Sequence, residues 1–254
     1  MKTAPPILPS SRNRTREDIG WRPLPLATLL VVALTAFITT WQLWNPPLLS
    51  LLDRNLAALL AGQWWRLITP RLVQPEIWPQ YFLLAILAVV GPSVERQVGS
   101  GRWMLFWLIG GLIGELVSFA WAPHGAGASV GICGIIGAWL VLALRQAPVG
   151  PWFVAVVVLT FVTELIGMAL HSFVGAMVAA GVVAAVLIQV RQRTAYWPRR
   201  APWYGMAGLL GGLILTLLRD QHGPPLLATA ALAALLVVNR STKHTQRRND
   251  EKPV

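Results

Sequence analysis

The stretch WFVAVVVLTFVTELIGMALHSFVGAMVAAGVVAAVLIQV, residues 152–190, decides the fold. One transmembrane helix needs roughly 20 mostly apolar residues, and this run has 39, enough for two. Polar interruptions at Glu164–Gly167 and at His171-Ser172 divide it near residue 169. Working outward, apolar runs at 24–44, 78–94, 103–121 and 126–144 precede it. Two shorter runs follow at 203–218 and 224–239, separated by Arg219-Asp220-Gln221-His222-Gly223-Pro224-Pro225, and read as a hairpin. The pattern predicts an all-α polytopic membrane protein of about eight spans.

Composition agrees. The chain has 254 residues, 55% hydrophobic and only 12% charged, with 13 tryptophans, whereas a soluble domain carries about a quarter charged residues. Disorder is excluded by the same hydrophobicity. A single cysteine, Cys133, excludes an intrachain disulfide framework and a zinc site built on paired cysteines. The net charge of +11 sits in short blocks between apolar runs, with no basic face interleaved with aromatics, so nucleic acid is not the expected partner. The lipid bilayer is.

Eight spans put both tails on one side together with the 95–102, 145–151 and 191–202 loops. That side holds seventeen of the Lys and Arg residues, against Arg54, Arg66, Arg71 and Arg219 on the other. The positive-inside rule therefore predicts that both tails are cytoplasmic. Residues 1–23 read as a cytoplasmic tail leading into a retained first span, because the apolar run is too long for a signal-peptide core. Residues 240–254 read as a basic, disordered tail. The long connection 45–77 lies on the outer side, and loops of that length are often functional.

The polar residues within the spans are Glu115, Ser129, Glu164 and His171. An ionisable side chain in hydrocarbon is costly and usually faces a bundle interior or a watery cavity. Ser129 and His171 each open a span running from outside to inside. Ser129 is 16 residues before Arg145 and His171 is 20 before Arg191, a difference of about 6 Å at 1.5 Å per residue. A serine and a histidine at one level on parallel helices form a candidate nucleophile and general base. The approach Gly125-Ala126-Gly127-Ala128-Ser129-Val130-Gly131 leaves backbone N–H groups near the hydroxyl, where an oxyanion would develop. Gly134, Gly137 and Gly175 are small residues that admit a neighbouring helix. Glu115 and Glu164 each lie 12 residues into a span. They read either as acids bonded to one another in the interior or as a carboxylate orienting His171 or supporting a cavity. His124 and the Glu95-Arg96 pair read as a loop residue and a helix-end fixture.

Four stretches in order carry a family likeness: Gly62-Gln63-Trp64-Trp65-Arg66-Leu67-Ile68-Thr69-Pro70, Gly91-Pro92-Ser93-Val94-Glu95-Arg96 with Gly99-Ser100, Gly127-Ala128-Ser129, and His171 opening the sixth span. In these the chain resembles the rhomboid family of intramembrane serine proteases, over residues 26–190. The resemblance implies a six-helix core at 24–190; the loop and the two additional short spans at 191–239, read from hydropathy, lie outside it. It implies Trp65 and Arg66 as a structural loop motif, Ser129 as nucleophile and His171 as base, with no metal or cofactor. The implied partners are transmembrane protein substrates, cut near the outer face; for so compact a chain the expected membrane is of the bacterial inner type.

The sequence departs from the family pattern in four places, one of them Val174 ahead of Gly175, which displaces the family's first glycine after the histidine by one residue. Val130 replaces a glycine after the nucleophile, adding bulk that could narrow the carbonyl pocket. Cys133 replaces an aromatic. An ungapped count puts Pro79 and Leu83 where the family's His-x-x-x-Asn oxyanion donors stand. Gln80 or Gln74 could substitute, beside the N–H groups of the Gly127–Val130 turn. Losing one such donor costs about 10²–10³ in rate, so weakened proteolysis is one expectation. A catalytically inactive relative that binds membrane clients is the alternative. A proton-coupled transporter would show internal symmetry, and none is seen.

Overall fold

The computed structural model describes residues 24–147, 150–193 and 201–250; the expected tail 1–23 lies outside them. Among the described residues eight long helices carry the architecture, one in each expected apolar run: α1 (Leu26–Trp41), α4 (Ile77–Val98), α5 (Ser100–Trp121), α6 (Ser129–Leu144), α7 (Trp152–Ala169), α8 (Phe173–Arg193), α9 (Ala201–Leu217) and α10 (Gly223–Asp250). Three of them, α4, α5 and α7, are by themselves long and apolar enough to cross a membrane, and the apolar parts of the others run 14–17 residues. Large apolar side chains such as Leu30, Phe37, Val182 and Leu210 point outward, as a bundle solvated by lipid allows. The chain is a multi-pass integral membrane protein.

The connection between α1 and α4 folds into short pieces: α2 (Pro47–Leu52), the two-residue strand β1 (Arg54–Asn55), α3 (Leu56–Leu60), and 3-10 turns at Trp64–Leu67 and Thr69–Leu72. Asn55 caps α3 by accepting from the Ala58 N–H at 3.1 Å, the usual task of an N-cap amide. Strand β1 pairs antiparallel with β2 (His124–Gly125), joining this connection to the segment that leads into α6. At the opposite end of the bundle, the Glu95 carboxylate accepts from the N–H groups of Ala27 and Thr28, both at 2.8 Å, and from the Ser100 hydroxyl at 2.6 Å. One acid therefore caps the first turn of α1 and ties it to the start of α5, where a helix leaves its N–H groups unpaired.

Three helix ends share one device. Gln146, His171 and Arg219 adopt left-handed φ of 55–56°. In each case the next residue's N–H reaches five residues back, as Ser172 does to Gly167 at 3.1 Å and Asp220 to Leu215 at 2.9 Å. This is the Schellman closure, which satisfies end carbonyls and reverses the chain. His171 is thus the turning residue between α7 and α8. After Arg219 the chain enters α10 through Gly223-Pro224-Pro225, with prolines in the first turn where no N–H is needed.

Helix α6 is the hub, with every residue from Val130 to Ala143 buried. Glycines bring its neighbours close. A Cβ on Gly134 would strike the Phe106 carbonyl of α5, and one on Gly137 would strike the Leu226 carbonyl and the Thr229 side chain of α10. Helix α10 makes the most extensive contact with α6 and also packs on α5 and α9, whereas α8 packs chiefly against α7 at the rim. This corrects the expectation of a 24–190 core with an added hairpin. The last two helices belong to the centre, and α8 is the peripheral one. Hydropathy marks a span but not its neighbours, so the order of packing was not readable from it. Gly175 likewise admits no neighbouring helix; a Cβ there would meet Ser172 in its own turn. Residues 240–250, expected to be disordered, continue α10; they contain neither glycine nor proline to stop a helix.

Gly137→Ala should lower thermal stability in detergent, because its methyl meets backbone on α10, and overpacking costs about 1–3 kcal/mol. Gly181→Ala should leave stability unchanged or raised, since Gly181 faces open space. Paired melting curves check both.

Candidate functional site

Ser129 is the first residue of α6, at the end of the bundle where β1–β2 lies. Its approach is held residue by residue. The Gly127 N–H donates to the Pro70 carbonyl at 2.8 Å and the Ala128 N–H to Gln80 Oε1 at 3.2 Å. Gly127 takes φ 137° with the Gln74 side chain against it, where a Cβ would collide. The first backbone bond of α6 runs from the Ile132 N–H to the Ala128 carbonyl. The N–H groups of Ser129, Val130 and Gly131 therefore stand outside the helix ladder beside the hydroxyl, where they can donate to an anionic oxygen.

The histidine at this serine is His222. Its Nε2 lies 2.8 Å from Ser129 Oγ, and its Nδ1 lies 2.6 Å from Asp220 Oδ1. The same carboxylate oxygen accepts the His222 N–H at 2.9 Å. His171, the sequence-predicted base, is instead exposed at the turn after α7, its N–H spent on the Met168 carbonyl. The correction follows from packing. The helix that meets α6 at Gly137 is α10, so the residue preceding α10 is the one delivered to Ser129. A sequence signal existed: His222 is 18 residues before Arg240, closer to the 16 of Ser129 than is His171. It was masked because 219–225 reads as an ordinary polar turn.

Burial acts against ionisation of Asp220, but the His222 ring's hydrogen bond and charge and the His222 backbone N–H outweigh it, holding the carboxyl below its usual range. Gln221, between these two residues, turns the other way. Its Oε1 accepts from Arg54 Nη2 at 3.0 Å and from the Ser118 hydroxyl at 2.5 Å. Arg54 also pairs with Glu115 Oε2 at 3.0 Å and donates to the Ala122 carbonyl at 2.9 Å. Arg54 and Glu115 are only 3% and 1% exposed, so this is an interior ion pair. Glu115 thus partners an arginine of the connecting loop, not Glu164. Glu164 is half-buried and lines an apolar groove of about 410 Å³ between α4, α7 and α8, with Phe82, Phe161 and Met177.

The remaining predicted residues serve the frame. Arg66 is buried and donates to Gln63 Oε1, to the Asp53 carbonyl and carboxylate, and to the Ser50 carbonyl, at 2.6–2.9 Å. Trp65 is exposed and its indole N–H reaches the Leu51 carbonyl at 3.3 Å. Together they hold the turn that carries Pro70 to Gly127. The Val130 side chain packs on Gly114 of α5, so its bulk is spent there rather than in a carbonyl pocket. Gln80 Nε2 donates to the Arg71 carbonyl at 3.3 Å, so both ends of that amide are committed. The Gln74 side-chain oxygen is buried and has no hydrogen-bond partner among the described residues. Among the described residues no group of three or more His, Cys, Asp or Glu side chains is placed to hold a metal ion.

Residues 61–218, more than half the chain, match the model of the Rhomboid domain; the match stops just short of Asp220 and His222. The chain is 43% identical over 86 residues to "Rhomboid protease GluP" of Bacillus subtilis (strain 168), covering 34% of this chain and 17% of that protein. It is 40% identical over 88 residues to "RHOMBOID-like protein 9, chloroplastic" of Arabidopsis thaliana, covering 33% and 19%. It is 30% identical over 125 residues to "Putative rhomboid protease YdcA" of Bacillus subtilis (strain 168), covering 44% and 62%. The chain therefore spans less than two thirds of each relative's length.

Glu115→Ala should destabilise the protein by about 3–5 kcal/mol, because it leaves a buried arginine unpaired, whereas Arg54→Met with Glu115→Leu should cost much less. Unfolding of the two variants side by side checks the order.

Proposed function

Because this chain belongs to the rhomboid family, we propose that it is an intramembrane serine endopeptidase using Ser129 as nucleophile and His222 as general base. The observation that carries this reading is the 2.8 Å contact between Ser129 Oγ and His222 Nε2, within the reach that proton transfer needs. Ser129 Oγ attacks the scissile carbonyl while its proton passes to His222 Nε2. The carbonyl oxygen, now anionic, is met by the N–H groups of Ser129 and Val130. His222 returns the proton to the departing amine nitrogen as the C–N bond breaks. Water, activated by the same imidazole, then hydrolyses the acyl-enzyme.

The substrates in this reading are transmembrane segments of other proteins, cut near the outer face of a membrane of the bacterial inner type. Eight spans with both tails cytoplasmic put Ser129 and His222 at that face, which the seventeen-to-four distribution of basic residues favours. A second reading, a client-binding relative without proteolysis, is favoured by one observation: the Gln80 amide is consumed in holding Ala128 and Arg71. Gln74 turns its amide oxygen, an acceptor, toward Gly127, so it adds no oxyanion donor in this arrangement.

A fluorophosphonate probe applied to the folded protein in mild detergent tests the reading. Wild type and His171→Ala should label equally, and Ser129→Ala and His222→Ala should not label. Equal labelling of His222→Ala and wild type would overturn the assignment of the base, and absence of labelling in folded wild type would favour the client-binding reading.

A further inference from the structure

Rhomboid catalysis is ordinarily described with two residues, yet here the base has an acid against its far nitrogen. We propose that Asp220 is a positioning residue that fixes the tautomer and orientation of His222, so that the site works as an Asp220–His222–Ser129 relay. The inference rests on the catalytic reading of Ser129 and His222 given above.

Four observations carry it. First, Asp220 Oδ1 is 2.6 Å from His222 Nδ1 while the opposite ring nitrogen, Nε2, is 2.8 Å from Ser129 Oγ. A carboxylate can only accept, so the Nδ1 contact requires the proton on Nδ1. Nε2 is then left with the lone pair that a general base needs. Second, the carboxylate is itself held, because the same oxygen accepts the His222 backbone N–H at 2.9 Å. Third, the backbone is closed on both sides. The Asp220 N–H completes the end of α9 on the Leu215 carbonyl at 2.9 Å, and the Gly223 N–H returns to the Asp220 carbonyl at 3.3 Å. Fourth, Gln221 is held on the α5 side by the buried Arg54 and Ser118. The alternation of a short turn then sends Asp220 and His222 together toward α6.

The proton balance is simple. During attack the Ser129 O–H bond breaks and its proton joins Nε2, while Nδ1 keeps its own proton and the imidazole becomes cationic. Asp220 stays ionised and faces that new charge. Other charged or titratable groups near the pair are Glu115 on α5, Arg54 on β1 and the buried Cys133 thiol of α6. Glu115 and Arg54 neutralise one another. Asp220 is therefore the anion that controls the ring.

The test is the rate of fluorophosphonate labelling against pH for wild type, Asp220→Asn and Asp220→Glu, with Ser129→Ala as blank and melting temperature recorded for each. In soluble Ser-His-Asp enzymes, neutralising the acid lowers turnover about 10⁴-fold. Here Asp220→Asn should lower the labelling rate by about 10²-fold or more. It should also change the pH dependence of labelling, because the imidazolium formed during attack loses the opposite charge that faces it. Asp220→Glu should recover part of the rate. A merely structural role would lower the labelled fraction without changing the pH dependence. Wild-type rate and pH dependence in Asp220→Asn would overturn the proposal.

A second measurement does not depend on the variants folding or on the serine reacting. Nitrogen-15 histidine spectra of the intact protein, with His222 identified by its loss in His222→Ala, should show the neutral ring protonated at Nδ1. A proton on Nε2 would overturn the inference. Failure of the catalytic reading would look different: folded wild type would not label, while the spectrum still reported the Asp220–His222 orientation.

Discussion

The backbone contact between α6 and α10 at Gly137 sets the rest of the molecule. In lipid, helices gain nothing from hiding apolar surface, so they associate through close van der Waals contact, which small residues permit. Gly137 offers no side chain at the point where the Leu226 carbonyl and Thr229 arrive. Helix α10 can therefore lie on α6 near enough for the residues before its first turn to reach the residue that opens α6. Gly134 does the same for α5. With neighbours drawn in by glycine, α6 is buried along almost its whole length, and Ser129 at its start is held by a rigid element.

The second constraint is electrostatic. Arginine and glutamate in a membrane interior are tolerated only when paired and fully bonded. Arg54 meets this condition by reaching four partners at once: Glu115 of α5, the carbonyls of Ala122 and His124, and Gln221. Each partner belongs to a segment that borders the site, so satisfying one buried cation aligns the connecting loop, the approach to Ser129 and the turn before α10. Arg66 organises the loop from its own side in the same way. These groups touch no reacting atom. Their contribution is geometry, and it keeps Ser129 Oγ and His222 Nε2 at 2.8 Å.

Support for the carbonyl oxygen is thinner. The N–H groups at the start of α6 are backbone and come with any helix that begins at the nucleophile. The side chains that could add to them are otherwise engaged or merely adjacent, with Gln80 holding Ala128 and Gln74 lying on Gly127. The His222 ring, by contrast, is held at both nitrogens, by Asp220 and by Ser129.

Much of this was legible in the residues alone. Each predicted span contains one long helix, since a run of apolar residues between polar breaks has few other fates in lipid. Ser129 stood out because a glycine-rich approach to a helix start is unusual and chemically suggestive. The local role of Glu95 at a helix end also followed from its neighbourhood. The choice of histidine did not. His171 and His222 each open an apolar run at a depth matching Ser129, and linear spacing does not say which helix lies beside α6. That was decided by the shapes of facing surfaces: glycine at 137 against α10, and Gly167 against Ala176 holding α8 on α7. Hydropathy is a property of one helix and adjacency a property of two, so the sequence by itself marked the helical runs and singled out Ser129, and only the tertiary structure decided which histidine lies against it.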